Sequence, residues 1–111
     1  MSRKMVGTMI FAAGLSVSAA TAVADVSAER GATLAAEHCT ACHDVSADGA
    51  FKEYPPSFAS IAVYRSREQI EGRMLYPPQH ASMPQLAFIM KPAEIDDLVA
   101  YIVSLERDMG E

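Results

Sequence analysis

The sequence predicts an all-α domain, and three observations carry that prediction. Ile95, Leu98, Val99, Tyr101, Ile102 and Leu105 recur at helical spacing near the end of the chain, the period of one buried helix face. Two segments open on helix-capping signals, Ser27 and Ser66-x-x-Gln69. No run alternates apolar and polar residues as a strand would, and no segment repeats.

Residues 1–24 stand apart from the rest. Arg3 and Lys4 precede an uncharged stretch from Met5 to Ala20, and Thr21-Ala22-Val23-Ala24 comes before Asp25. This is the pattern of a secretory signal cleaved after Ala24. The alternative, a retained membrane anchor, is disfavoured because the stretch is short and is interrupted by Gly7, Thr8, Gly14, Ser16 and Ser18. Removing residues 1–24 takes the formal charge from −5 to −7. No basic patch points to nucleic acid. The acidic balance serves solubility first and suggests only secondarily a partner presenting positive charge.

The domain, residues 25–111, is expected to begin with a helix from Ser27 to His38, capped by Ser27, with Glu29 in its first turn and an apolar face of Ala28, Gly31, Ala32, Leu34 and Ala35. Residues 44–54 are polar and contain Gly49, hence a loop, and Pro55-Pro56 fixes an extended turn before a short helix around Phe58 to Val63. The capping box at Ser66 opens a helix reaching about Leu75, and Pro77-Pro78 stops it. From Pro77 to Met90 there is no period, which predicts a loop wrapped over apolar surface. In the last helix Pro92 suits the first turn, Lys91 is a poor cap, and Asp96, Asp97, Ser104 and Glu106 fall opposite the apolar face.

The chemistry is concentrated in Cys39-Thr40-Ala41-Cys42-His43, which holds the only cysteines of the chain. Thiols three residues apart leave one side of a helical turn and can add to the two vinyl groups of one haem edge, and the histidine beside them can ligate the iron from below. This is the c-type haem attachment motif, with one covalent haem c through Cys39 and Cys42 and His43 as proximal ligand. Three other readings compete. A redox dithiol expects a preceding strand and a βαβ context. A structural zinc site needs four ligands, and beyond these three only His38, His80 and unpatterned carboxylates remain. A Cys39–Cys42 disulfide would close too small a loop to stabilise much.

With those residues in place, the chain resembles the small monohaem class I cytochromes c of the exported bacterial kind over essentially all of residues 25–111. The resemblance implies a cytochrome c-like fold, with first and last helices crossing around the haem. It also implies that Gly31, eight residues before Cys39, lets those helices cross closely against Leu98 and Tyr101. Pro56, beside Phe58, Ile61 and Ala62, is similar to the family segment whose proline carbonyl accepts a hydrogen bond from the axial histidine. Met83, before Pro84 in an irregular loop, matches the axial methionine, a soft neutral thioether suited to ferrous iron. Methionines also fill core gaps; Met74 falls in a predicted helix and Met109 at the tail, so Met90 is the serious rival, with His80 as a bis-histidine alternative. His38 is expected to be a partly exposed structural residue.

Two departures from the family pattern stand out. Asp44 follows the motif where many members have glycine, and there is no tryptophan. A propionate partner would therefore come from Tyr54, Tyr64, Tyr76, Arg65, Arg67 or Arg73, although charges on a short helix are usually simply solvated. The resemblance implies a periplasmic electron-transport protein that is not itself an enzyme, exchanging electrons with redox partner proteins. Alternatives are a haem subunit of a larger oxidoreductase and an open-site haem protein binding gas or peroxide, which requires that Met83 not ligate.

Overall fold

The structure is a computed structural model that describes residues 2–5, 7–16, 25–52, 54–78 and 82–109, with side chains through Arg107. The described residues form four α-helices, α1 (Ala28–His38), α2 (Phe58–Tyr64), α3 (Arg67–Leu75) and α4 (Pro92–Met109), with a 3-10 turn at Leu86–Phe88 and no strand. Residues 2–5 and 7–16 have no regular structure, while 17–24, with the expected cleavage point, and His80 lie outside the described residues. No helix among the described residues is long and apolar enough to cross a membrane.

Local chemistry sets each helix start. Ser27 Oγ accepts the Arg30 N–H at 3.2 Å and opens α1. Ser57 caps α2 in the same way through the Ser60 N–H. At α3 the full capping box forms: Ser66 Oγ accepts the Gln69 N–H, and Gln69 Oε1 accepts the Ser66 N–H at 2.9 Å. Lys91 has no oxygen with which to cap α4, but Glu94 Oε2 accepts its backbone N–H at 2.8 Å, the return half of a capping box.

The core is built on α4. Ile95, Leu98, Val99, Ile102 and Leu105 are buried against Ala35 of α1, Phe58 and Ala62 of α2, Ile70 and Met74 of α3, and Leu86 and Met90. Within the expected loop, described residues 82–90 bury Leu86 and Met90 in the core, with an added turn at Leu86–Phe88 placing Leu86 inward. α1 packs on α4 at Gly31. A Cβ there would stand 2.0 Å from the Asp97 carbonyl oxygen and 2.8 Å from Tyr101 Cβ. The expected close crossing is present, but the groups nearest the glycine belong to Asp97 and Tyr101, while Leu98 lies fully buried in the core.

Asp97 corrects the reading of the last helix. It does not face solvent with Asp96 but is only 6% exposed. Its carboxylate accepts the Ser27 N–H at 2.7 Å and the Arg30 Nε–H at 2.9 Å, and Arg30 Nη2 also reaches the Asp25 carbonyl. One turn before Tyr101, Asp97 shares the face that meets α1, where the first N–H groups of that helix need acceptors and favour negative charge. The Arg30 hydrogen bond holds the Asp97 carboxyl below its ordinary range, with burial acting against it and the Ser27 N–H adding to the effect.

Candidate functional site

The Cys39–His43 segment leaves the end of α1 as a continued turn. The Cys39 N–H still reaches Ala35 O, while Cys42 and His43 N–H groups both fold back to Cys39 O, at 3.2 and 2.9 Å. Both cysteines are free thiols, Cys39 half-buried and Cys42 exposed. Burial pushes the Cys39 thiol up. Among the described residues no strand precedes the turn, and no group of three or more His, Cys, Asp or Glu side chains could hold a metal ion. The redox-dithiol and zinc readings therefore find no support.

His43 is half-buried and fixed from two directions. Its Nδ1 lies 2.6 Å from the Pro56 carbonyl oxygen. A carbonyl only accepts, so Nδ1 carries the proton, and in the neutral ring Nε2 keeps the lone pair. The Phe58 ring lies against the imidazole, centroids 5.4 Å apart, and Tyr101 lies beyond Phe58 at 6.3 Å. Two backbone ties hold the chain just after His43. Phe58 N–H donates to Asp44 O at 2.9 Å, and the Tyr101 hydroxyl donates to Val45 O.

Asp44 turns the loop. Its Oδ1 accepts both the backbone N–H and the hydroxyl of Ser46, at 3.1 and 2.7 Å, and these bonds lower its pKa, with the Ser46 hydroxyl the larger cause. A Cβ at Gly49 would meet the Asp44 carboxyl at 3.0 to 3.2 Å. Here an aspartate and the glycine five residues later arrange a turn that a glycine directly after the motif would leave freer.

The motif opens onto a cleft of about 1370 Å³. Cys39, Cys42 and His43 line it together with Pro55 and Pro56, Phe58, Ser60 and Ile61 of α2, Ile70 and Met74 of α3, Leu86, and Ile102 of α4. Met83 is half-buried and lines the same cleft with Ser82 and Pro84, so the structure brings every expected site residue to one space. Met90 does not line it and is buried in the core. Met74 does, which the sequence reading missed by setting it aside as a helix residue; the rival thioether is Met74 rather than Met90. Of the polar candidates, Tyr54, Tyr64, Arg65 and Arg73 line the cleft, whereas Tyr76 and Arg67 do not. Lys52 and Gln69, which no motif singled out, line it too, as does the exposed His38.

A space of this size exceeds an ordinary small-ligand pocket. Its apolar lining, two unpaired thiols and an imidazole with one free lone pair fit a covalently held haem. No curated protein and no solved structure matches the chain. The family model for cytochrome c matches residues 28–106, from the first residue of α1 into the last turns of α4 and across the whole cleft. The chain therefore belongs to the cytochrome c family, proteins of haem-based electron transfer.

Proposed function

We propose that this chain is an exported single-electron carrier that holds one haem c through Cys39 and Cys42, with His43 and Met83 as axial ligands. The observation that carries the reading is the hydrogen bond between His43 Nδ1 and Pro56 O, which leaves Nε2 as the ring's only donor to a metal in a cleft that Met83 also lines. Bound there, the haem supplies a one-electron ferric–ferrous couple. The residues of the chain do the rest. Two thioethers keep the group in place whatever its oxidation state. Phe58, Ile61, Ile70, Leu86 and Ile102 keep water from its faces. Held by His43 and Met83, the iron would be favoured in its reduced state relative to ligation by two imidazoles, and with both residues bound it would offer substrate no site.

Export is part of the proposal. Arg3 and Lys4 before the apolar run support removal of residues 1–24 after Ala24 and a periplasmic location. Met5, Met9, Ile10, Phe11 and Leu15, 85–98% exposed, pack on nothing in the folded domain, as suits a segment that is discarded. The partners are other redox proteins. The experiment is the visible spectrum and intact mass of protein matured in an exporting host with a haem-attachment system. The expected result is one haem per chain and a sulfur-to-iron band in the ferric form. A colourless product without bound porphyrin mass overturns the proposal.

A further inference from the structure

Ser57 and Ser60 form a closed pair of hydroxyls inside an otherwise apolar wall, Ser57 fully buried and Ser60 only 6% exposed. Ser57 Oγ accepts the Ser60 N–H and donates to Ser60 Oγ, both at 3.2 Å, and Ser60 Oγ donates in turn to Ser57 O at 2.8 Å. Ser57 O also accepts the Ile61 N–H at 3.0 Å. Neither hydroxyl proton is left over for a ligand, although Ser60 lines the cleft. Burying two hydroxyls is costly unless every bond is made, and here all of them serve to fix one residue.

That residue follows Pro56, whose carbonyl accepts from His43. The direction of the Pro56 carbonyl is set by the peptide plane it shares with Ser57, and Ser57 is locked at φ −66° and ψ 153° by its role as the cap of α2. On the other side of Ser57, the Phe58 N–H is tied to Asp44 O, beside His43 itself. Ser57 therefore stands at the centre of a ring of hydrogen bonds that closes from His43 through Pro56 and Phe58 back to Asp44.

From this we infer that Ser57 is a positioning residue for the axial histidine: its side chain aims the Pro56 carbonyl at His43 Nδ1–H and so sets the electron donation of the ring to the metal. The inference rests on the proposed ligation by His43. A slack hydrogen bond makes the imidazole a poorer donor and the oxidised state less favoured.

The test compares haem-loaded wild type, Ser57→Ala, Ser57→Thr and, as a control of similar destabilisation away from the cleft, Leu105→Val. Ser57→Ala is expected to speed exchange of the His43 Nδ1 proton by roughly fivefold, the population shift that loss of one N-cap gives, and to raise the midpoint potential. Ser57→Thr keeps the oxygen and is expected to restore both, while Leu105→Val moves neither. Unchanged exchange and potential in Ser57→Ala, or equal changes in Leu105→Val, overturn the inference. If Ser57→Ala fails to mature, failure of Ser57→Thr to retain wild-type exchange overturns it instead. Iron-shifted ring resonances of His43 in the ferric wild type test the ligation separately, so its failure is distinct from that of the inference.

Discussion

Gly31 and Asp97 are packed backbone to backbone: a Cβ on the glycine would lie 2.0 Å from the aspartate carbonyl oxygen and 2.6 Å from its carbonyl carbon. A backbone cannot rotate away as a flexible side chain can. Gly31→Ala is therefore expected to destabilise the haem-loaded protein by about 1–3 kcal/mol. In an open helix position the same substitution stabilises by roughly 0.5–1 kcal/mol, so the sign alone decides. Thermal unfolding checks it, and an unchanged or raised melting temperature would remove the crossing.

Met83→Ala is expected to abolish the sulfur-to-iron band of the ferric form and to lower the midpoint potential, since the reduced metal loses its thioether. Met74 lines the same cleft, whereas Met90 does not. Met74→Leu and Met90→Leu are expected to keep the band. Should it vanish in Met74→Leu and persist in Met83→Ala, the ligand comes from α3.

Asp97→Asn keeps an acceptor for the Ser27 N–H but loses the charge that pairs with Arg30, and is expected to cost about 1–3 kcal/mol. Because the folded-state pKa of Asp97 is lowered, its contribution is complete above the unfolded value of about 4 and is lost as pH falls through the lower folded value. Acid unfolding followed by circular dichroism should therefore show a shallower loss of stability below about pH 4 in the variant. Parallel acid curves for the two proteins would contradict this.

Tyr101→Phe removes the hydroxyl that donates to Val45 O, two residues beyond His43. A loss of about 1 kcal/mol is expected, with faster amide exchange in residues 44–49 than in α3. Uniform acceleration across the protein would mean that the hydroxyl does not hold that loop in particular.

Much of this was legible along the chain because it is local. Ser27 and the Ser66–Gln69 pair act within three residues, and the Cys39–His43 turn is a contiguous signature. The proline after the loop could be matched to its histidine only through the resemblance, since thirteen residues separate them. Asp97 was misread because a helical period sorts residues by polarity, and the amides that call for a buried carboxylate belong to a helix some seventy residues earlier. Met74 escaped for the same reason. Its helix was legible, but the side of that helix turned to the cleft depends on how α3 lies against α4. Neither Ser57 nor Ser60 stood out along the chain; only burial reveals that their hydroxyls are enclosed.

α4 packs on each of the other three helices and on the Leu86–Phe88 turn, and among the described residues it is the only helix against which α1 packs extensively. It is also the last of the four to be synthesised. Until α4 reaches the same compartment, the Cys39–His43 turn stays attached to a helix without its mate. For an exported chain that interval falls during passage across the membrane, when both sulfurs stand on an open chain and are accessible to the attachment proposed above.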